Sequence, residues 1–521
     1  MTRRAWRDPW VWRRIGASAI AGLLVALAFP PLDLGPLALV GLVPLLWAWR
    51  GASPGTAAWC GFVFGAAQMA IVCSWVFYFG AVAIVPFTIL VALYPALAGL
   101  AVGLFERFGV RSAWISAAAF TVCEWARGHF PVGGLQWGEL GVALHNVAPA
   151  RALASYGGVP LLTFLVVLVN GFVLDANIAL RDHNRRPAWL AVGGVVGVVA
   201  LTALGVAFRT EPTTTGTVRY AMMQANNVNR YFTPEELATN PLQTKHLTLA
   251  EQLQGPYDLI VFPESSLENS PLQDDELRAA LTDLALKHDS TVVANGITYA
   301  PDGKIYNTNV VYAPNGSLEA TYSKMHLVPF GEYVPFNWLR DYIPELSMIR
   351  RNFTPGPGRA TFDVGGRRAG SVICFESGFP RSVRPYVVDD GVELIVVTTN
   401  NRSYERSANS EQHVAMSQMR AAEFGRPVLH SAVSGITAAI DADGRVLQHT
   451  ELFEVAITQG TIATTKGLTP YARFGDWALV ASCCVLVGAM LGVAGHRFRR
   501  RRGESYTLGR DEPEISDRQG S

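Results

Sequence analysis

The chain has 521 residues, of which 50% are hydrophobic and only 16% are charged, and its formal net charge is +1. That length allows two or three domains, and the apolar excess excludes an ordinary soluble protein of this size. Because no region carries a strong basic excess, the sequence predicts no nucleic-acid partner. The apolar residues are concentrated before residue 210 and again at 476–495, so the membrane-like sequence lies towards the two ends.

Eight apolar segments are candidates for membrane-spanning helices, and several approach the ~20 residues that a helix needs to cross a bilayer. They lie near residues 15–31, 36–49, 57–79, 82–105, 112–126, 152–178, 188–208 and 476–495. The second and fifth segments are short. The first is not expected to be a cleaved signal peptide, because further segments follow it and no small-residue cleavage site precedes polar sequence.

Arginine occurs in every second connection between these segments, whereas the connections after the first and third segments contain neither Arg nor Lys. Cytoplasmic loops of membrane proteins are enriched in these residues, so both termini are predicted to be cytoplasmic. We expect a membrane domain of about seven helices over 1–210 and an extracytoplasmic α/β domain over 211–470. A C-terminal membrane helix with a basic flank should cover 471–502, and a disordered cytoplasmic tail should cover 503–521.

An acid and an arginine interrupt the fifth segment. Glu124 and Arg127 are three positions apart, within reach of each other on one helix. A charged residue within a membrane segment is costly unless it is paired. The two residues therefore form either a structural ion pair that fixes a helix end, or a lipid-facing entrance at which Arg127 meets a phosphate.

Between residues 211 and 470, short β-branched runs alternate with helical stretches, which predicts a layered α/β domain. The predicted strands are 218–224, 259–262, 291–297, 309–312, 370–375, 394–398, 428–432 and 436–440, and the predicted helices are 275–288 and 407–424. Continuous apolar runs such as 393–397 are typical of strands that are covered on both faces.

Three strand ends carry residues that can perform chemistry. Glu264 and Cys374 each end an apolar run, and Lys324 is followed by the acid Glu332. The other cysteines lie in apolar segments, so Cys374 has no thiol partner in the polar part of the chain. Cys374 is therefore either a packing cysteine or a nucleophile. Taken singly, Glu264 also fits a helix cap and Lys324 a surface lysine.

The order Glu, Lys, Cys in these contexts resembles the nitrilase, or carbon–nitrogen hydrolase, superfamily. The motifs that carry the resemblance are Pro263-Glu264-Ser265, the run 324–335, Cys374-Phe375-Glu376, and the runs 419–427 and 434–437. Together with the apolar front half, the rear apolar span, Glu124-Trp125 and Arg127-Gly128, the chain resembles the apolipoprotein N-acyltransferase family over nearly its whole length.

One loop departs from that family. After Thr399-Asn400 the family usually shows an acid and then a tryptophan, whereas this chain has Asn401-Arg402-Ser403-Tyr404. In the family this loop borders the site, so the change bears on recognition of the acceptor more than on the chemistry.

The resemblance implies an αββα nitrilase-like sandwich joined to a multi-span helical membrane domain, in a bacterial cytoplasmic (inner) membrane with the catalytic domain outside. It implies an acyltransferase that uses no cofactor and no metal. Cys374 would take a fatty acyl group from a phospholipid as a thioester, and the α-amine of an apolipoprotein's diacylglyceryl-cysteine would then accept it.

Each site residue has an expected role in this chemistry. Glu264 would be the base for the thiol and then for the amine, and Lys324 would favour the thiolate and the oxyanion. The Phe375 amide is a candidate second oxyanion donor. Glu332 and Glu376 would orient the lysine or brace a loop, with a simple ion pair to an arginine as the alternative.

Two other functions fit parts of the sequence. A membrane-tethered amidase or nitrilase would use the same Glu, Lys and Cys, but a soluble substrate needs no seven preceding spans. A transporter or scaffold with an inactive domain is disfavoured because all three residues are intact. His326, His413 and His430 lack metal-ligand spacing and are expected in the core or on the surface. A Cys374–His326 dyad is an alternative way to activate the thiol.

Overall fold

The computed structural model describes residues 8–209, 211–226, 240–343, 346 and 351–507. These residues form a helical unit, which ends near residue 209, and a two-sheet unit, which begins at Thr213 and ends with the last strand at Lys466. A long helix follows the two-sheet unit and packs against the helical unit.

The helical unit is an all-α assembly. Its helices are α1 (Pro9–Ala26), α2 (Ala38–Gly41), α3 (Val43–Trp49), α4 (Pro54–Val72), α5 (Ala81–Arg107), α6 (Ala113–Arg127), α7 (Ala148–Arg181) and α8 (Arg185–Ala207). Short 3-10 helices at Gly35–Leu37, Ser74–Phe79 and Leu140–Leu144 lie in the connections.

Within the described residues, five helices are long and apolar enough to cross a membrane. They are Pro54–Val72, Val82–Arg107, Ala148–Arg181, Arg185–Ala207 and Trp477–Arg497. Three of the eight predicted spans therefore do not meet this criterion. The first corresponds to α1, which contains Arg13 and Arg14, and the fifth to α6, which has only 15 residues. The second is divided into short helices at positions where Pro36 and Pro44 interrupt the backbone hydrogen bonds.

Helices α4 and α5 pack closely through glycine. A Cβ added to Gly61 would lie 2.1 Å from the carbonyl oxygen of Pro95, and one added to Gly99 would lie 2.3 Å from the carbonyl oxygen of Ala57. Only glycine permits this approach of the two backbones, which is how apolar helices associate in lipid. The 3-10 segment Ser74–Phe79 connects α4 to α5, and its aromatic residues contact the two-sheet unit.

The two-sheet unit contains two six-stranded sheets. Its strands are β1 (Thr213–Gln224), β2 (Leu259–Val261), β3 (Thr291–Tyr299), β4 (Ile305–Tyr312), β5 (Leu318–Ser323), β6 (Thr361–Val364), β7 (Arg367–Ile373), β8 (Leu394–Thr399), β9 (Val428–Ala432), β10 (Ala438–Ile440), β11 (Val446–His449) and β12 (Ala456–Lys466). The remaining helices are α9 (Pro241–Ala250), α10 (Asp275–His288), α11 (Pro380–Val388), α12 (Asn409–Phe424), α13 (Pro470–Phe474) and α14 (Trp477–Thr507).

The sheets form the middle layers of a sandwich. The first has the order β12-β1-β2-β3-β4-β5 and the second the order β11-β10-β9-β8-β7-β6. Apolar side chains of both sheets share one buried cluster, while α9 and α10 cover the outside of the first sheet and α11 and α12 the outside of the second. The predicted αββα fold beside a helical unit is confirmed, and the membrane orientation stays a prediction.

Local sequence explains the best-predicted helix. Helix α10 coincides with the predicted range, since Asp274 accepts a hydrogen bond from the Leu277 amide at its start and acidic residues occupy its first turn. Lys287 and His288 occupy its last turn, where cations are favoured. Strands β5, β6, β11 and β12 were not predicted. β11 is almost entirely exposed, so it lacks the apolar run that marks a buried strand.

Several predicted boundaries differ from the structure, and two of them concern the site and the C-terminal tail. The strand predicted over 370–375 ends at Ile373, because Cys374 turns to φ +53° and opens a 3-10 helix over Cys374–Gly378. Helix α14 continues to Thr507, into the segment predicted to be a disordered tail. The rest of that tail, 508–521, lies outside the described residues.

Helix α12 joins the two units. Its Ala415, Met416 and Met419 belong to the same buried apolar cluster as the helices of the helical unit. Farther along α12, a Glu423 oxygen accepts a 2.8 Å hydrogen bond from the Val159 amide, directly after the break in α7 at Gly158. The break leaves that amide without a helical partner, so the carboxylate supplies one.

Candidate active site

The three candidate residues meet where strands of both sheets end. Glu264 follows β2, Lys324 follows β5 and Cys374 follows β7. Strand β2 is parallel to β3, and β7 is parallel to β8, so their carboxyl ends face the same way within each sheet. All three side chains are buried, with exposed fractions of 5% for Glu264, 1% for Lys324 and 8% for Cys374.

Lys324 lies between two carboxylates. Its Nζ is 3.4 Å from Glu264 Oε1 and 3.0 Å from a Glu332 oxygen. Asn307 Nδ2 donates to Glu264 Oε1 at 2.7 Å and to Glu332 Oε1 at 3.1 Å, so one amide holds both acids. Burial alone would lower the pKa of Lys324, but the Glu264 and Glu332 carboxylates raise it well above its ordinary value. The lysine is therefore cationic at neutral pH, and Glu332 is in direct contact with it, which fits the role of orienting the lysine.

The Cys374 thiol is protonated in the resting site. Burial, followed by the negative charge of Glu264, raises its pKa to about 12. The Lys324 cation and hydrogen bonds from the Thr399 hydroxyl and the Asn400 amide act in the opposite direction without overcoming burial. Desolvation of the thiolate therefore outweighs the nearby ammonium group, so the thiol needs a base, the role expected of Glu264.

Glu376 braces the nucleophile turn against the lysine loop. Its carboxylate accepts hydrogen bonds at 2.8 Å from the amides of Ile373, Met325 and His326, and one at 2.7 Å from Tyr322 Oη. The side chain is fully buried. Of the three predicted roles, bracing a loop fits these contacts, whereas backbone amides and a phenol, rather than the lysine or an arginine, donate to the carboxylate.

Phe375 lies in an aromatic group beside Cys374. Its ring is 6.3 Å from that of Trp137 in the helical unit, 4.8 Å from that of Phe379 and 5.6 Å from that of His326. The Phe375 amide lies in the first turn of a 3-10 helix, where N–H groups have no helical partner. Its place as an oxyanion donor stays a prediction.

The histidines are neutral and packed. His326 lies against Phe379 at 4.2 Å between ring centroids, and burial together with the Arg381 guanidinium lowers its pKa to about 4. The charged groups that act on Cys374 are Glu264 and Lys324. These contacts give no support to a thiol–imidazole dyad with His326. Among the described residues, no three His, Cys, Asp or Glu side chains are grouped as metal ligands would be.

The loop that departs from the family pattern does border the site. Tyr404 packs edge-on against Trp75 at 5.1 Å and Phe79 at 5.6 Å, both in the 3-10 segment of the helical unit. Burial raises the pKa of the Tyr404 phenol. Tyr404 therefore lies where the loop after β8 meets the helical unit.

A row of asparagines beneath the site was missed in the sequence. Asn295 Nδ2 donates to Asn307 Oδ1 at 2.9 Å and to Asn309 Oδ1 at 2.8 Å, and Asn295 Oδ1 accepts from the Ser265 amide at 2.7 Å. Asn309 Nδ2 donates to Ser371 Oγ at 2.6 Å and thereby joins the two sheets. The available signal was the presence of amide side chains within otherwise apolar strands, since buried polar groups need partners.

Glu124 and Arg127 form a structural pair inside the helical unit. Arg127 Nη2 is 3.7 Å from Glu124 Oε1, and both side chains are buried. Glu124 also accepts hydrogen bonds from the Leu140 amide at 3.0 Å and from Thr163 Oγ1 at 2.6 Å. Arg127 is only 4% exposed, so the lipid-facing interpretation is wrong.

Comparisons with known proteins agree with the two units. The family model "Apolipoprotein N-acyltransferase N-terminal domain" matches residues 21–172, and the model "Carbon-nitrogen hydrolase" matches residues 219–467. The apolipoprotein N-acyltransferase of Geobacter metallireducens is 31% identical over 506 residues, which cover 93% of this chain and 95% of that protein. The chain belongs to the apolipoprotein N-acyltransferase family. The apolipoprotein N-acyltransferase of Azotobacter vinelandii is 32% identical over 512 residues, covering 94% of this chain and 95% of that protein.

Among solved structures, a Saccharomyces cerevisiae protein described as a member of branch 10 of the nitrilase superfamily matches 49% of this chain and 93% of its own, with 16% identity and a TM-score of 0.36. The family and the enzyme class predicted from sequence are confirmed: the protein is an acyltransferase of the apolipoprotein N-acyltransferase family. Its apolar helices and this membership make it a membrane protein. Membership also argues against the amidase and the inactive scaffold.

Proposed function

We propose that this protein transfers a fatty acyl group from a phospholipid, through a thioester on Cys374, to the N-terminal amine of a diacylglyceryl-cysteine apolipoprotein. Family membership supports the lipoprotein N-acylation. The observation that carries the mechanism is the buried cluster of Cys374, Glu264 and Lys324, in which one sulfur, one carboxylate and one cation interact where strands of the two sheets end.

In the first half-reaction, the Cys374 sulfur attacks the ester carbonyl of the phospholipid. Because burial raises the pKa of the thiol to about 12, the proton must pass to Glu264 as the sulfur–carbon bond forms. Lys324 and the Phe375 amide stabilise the oxyanion. The ester carbon–oxygen bond then breaks, and Glu264 returns the proton to the departing lysophospholipid oxygen.

In the second half-reaction, the amine of the apolipoprotein attacks the thioester. Glu264 takes the proton that the amine loses, and the sulfur–carbon bond breaks to leave an amide. The proton then returns to the Cys374 sulfur and restores the resting thiol. Glu264 can serve both halves because Asn307 and Lys324 hold its Oε1 in one position throughout.

The thioester must survive until the acceptor arrives. Cys374 is 8% exposed, and Tyr404, Trp75 and Trp137 surround its turn with aromatic surface. Excluding water from this site favours transfer to nitrogen over hydrolysis.

The two-sheet unit belongs, in this proposal, on the extracytoplasmic side of the bacterial inner membrane. Helices α8 and α14, which flank the two-sheet unit, are both apolar enough to span the bilayer. The alternation of arginine-rich connections supports cytoplasmic termini, with the catalytic domain at 211–470 and the tail at 503–521 on opposite sides. Both lipid substrates would then meet the site at the outer leaflet.

The decisive experiment is mass spectrometry of the purified protein after incubation with phospholipid vesicles. A fatty-acyl mass increment is expected on the Cys374 peptide, and it should disappear when a diacylglyceryl lipopeptide is added. Cys374→Ala and Cys374→Ser should lose both the increment and the N-acylated product, while Cys484→Ala, at an exposed cysteine of α14, should retain both. Wild-type product formation by Cys374→Ala would exclude the thioester mechanism.

A further inference from the structure

Two neighbouring residues of α12 contact opposite units. The first, Gln412, is buried among groups of the helical unit. Its Oε1 accepts from the indole N–H groups of Trp75 at 3.2 Å and Trp137 at 2.6 Å, and its Nε2 donates to the carbonyls of Pro30 at 3.2 Å and Val72 at 2.9 Å. These four bonds use the full hydrogen-bonding capacity of the amide. Gln412 therefore fixes this part of α12 onto the helical unit.

The second residue, His413, contacts the nucleophile turn. Its Nε2 is 3.0 Å from the Cys374 carbonyl oxygen and 2.8 Å from Ser377 Oγ. Its Nδ1 is 3.2 Å from Asn401 Nδ2 and 3.3 Å from Thr399 Oγ1. A carbonyl can only accept and an amide nitrogen can only donate, so both ends of the ring require the tautomer with the proton on Nε2. The imidazole is 1% exposed and neutral, because burial lowers its pKa to about 4.

The conformation of Cys374 needs such a partner. Its φ of +53° lies in the left-handed region, which is unfavourable for a residue with a side chain and persists only when the surroundings impose it. The His413 N–H fixes the direction of the Cys374 carbonyl. On its other side, His413 contacts Thr399, whose hydroxyl also bonds the Cys374 sulfur. One imidazole thus arranges both the backbone of the nucleophile and a partner of its thiol.

We propose that His413 is a positioning residue for formation of the acyl-enzyme. Its Nε2–H donates to the Cys374 carbonyl and keeps the thiol turned towards Glu264 and Lys324. Because Gln412 fixes α12 to the helical unit, this hydrogen bond depends on the docking of α12 against that unit. This role rests on the proposed function of Cys374 as the nucleophile. The nucleophile is thereby assembled only when the two units are in contact.

The test measures single-turnover acylation of Cys374 by phospholipid vesicles across a range of phospholipid concentrations. His413→Leu removes the donor and should lower the maximal rate by about 100-fold, as misplacement of reacting groups by about 1 Å does. The half-saturating phospholipid concentration should stay unchanged, because the His413 side chain is only 1% exposed. His413→Gln, whose Nε2 can reach the same carbonyl, should recover the rate to within about tenfold of wild type.

Three comparisons separate positioning from general stability. His288→Gln alters another buried histidine, whose Nδ1 bonds the Gly255 carbonyl far from the site, and should leave the rate unchanged. Gln412→Met should lower the maximal rate by itself but add little to His413→Leu, since both changes act through one contact. If His413→Leu does not fold, His413→Asn, whose amide is one bond shorter than that of His413→Gln, should be the slower of the two.

Any of three results would overturn the positioning role. They are a wild-type acylation rate in His413→Leu, equal rates in His413→Gln and His413→Asn, and fully additive losses when Gln412→Met is combined with His413→Leu. Absence of any acyl mass on Cys374 in the wild-type protein would instead refute the proposed function, and the positioning role with it. The two failures are therefore distinguished by the wild-type reaction alone.

Discussion

Replacing Glu376 by glutamine tests whether this carboxylate holds the nucleophile turn to the lysine loop. Oε1 accepts from the amides of Met325 and His326, and Oε2 accepts from the Ile373 amide and Tyr322 Oη. Glutamine has nearly the same shape but only one oxygen. It can keep two of these bonds, while its NH₂ group faces two donors that lose their acceptor.

The expected loss follows from those two bonds. Hydrogen bonds to a charged group contribute about 1.5–3 kcal/mol each, so Glu376→Gln should destabilise the protein by about 3–6 kcal/mol. Tyr322→Phe removes only one bond to the same carboxylate and should cost about 1.5–3 kcal/mol. Because the broken bonds connect the turn of Cys374 to the loop that begins at Lys324, acylation should decline in the same order.

Thermal unfolding of the purified proteins in detergent, followed by intrinsic fluorescence, gives the stability order, and mass spectrometry of the Cys374 peptide gives acylation. The midpoints should fall from wild type to Tyr322→Phe to Glu376→Gln. If Glu376→Gln unfolded within about 0.5 kcal/mol of wild type, as typical surface substitutions do, or if Tyr322→Phe were the less stable variant, the bracing role would be refuted.

Three further predictions concern the charges of the site. Alkylation of Cys374 should rise about tenfold per pH unit between about pH 7 and 10 without a plateau, because only the thiolate reacts and burial raises its pKa to about 12. Lys324→Arg should abolish acyl-enzyme formation, since the larger forked guanidinium cannot replace a compact ammonium group between Glu264 and Glu332. Asn307→Leu should slow acylation by about 10- to 100-fold, because it removes a hydrogen bond from both carboxylates.

Each of these measurements has its own contrary result and control. A plateau in the alkylation rate below about pH 9 would show that the lysine, rather than burial, controls the thiol. The control is Lys304→Arg, at an exposed lysine paired with Asp302 at 2.6 Å, which should not affect acylation. Normal formation of the acyl-enzyme in Lys324→Arg would show that Lys324 does not stabilise the oxyanion. Unchanged acylation in Asn307→Leu would mean that the carboxylates are held without the shared amide.

Local patterns in the sequence are enough to predict several helices and strands and the three candidate site residues. The capping acid and the charges at its two ends are enough to define α10, and apolar runs identify the buried strands β2, β7 and β8. Glu264 and Cys374 could be selected because each follows such a run, and Lys324 because the acid Glu332 follows it. These features depend on neighbours within a few positions, which the sequence displays directly.

Tertiary structure decided the features that depend on distant partners. Trp75 and Gln412 are bonded although 337 positions separate them, and no local pattern marks such a pair. No motif or spacing in the sequence distinguishes His413 from the other histidines, and only the fold places it beside the Cys374 carbonyl. The protonation of Cys374 is likewise set by burial, which depends on residues from both sheets and the helical unit. The sequence by itself therefore identified which groups can react, while packing over long separations set their charge, orientation and access to water.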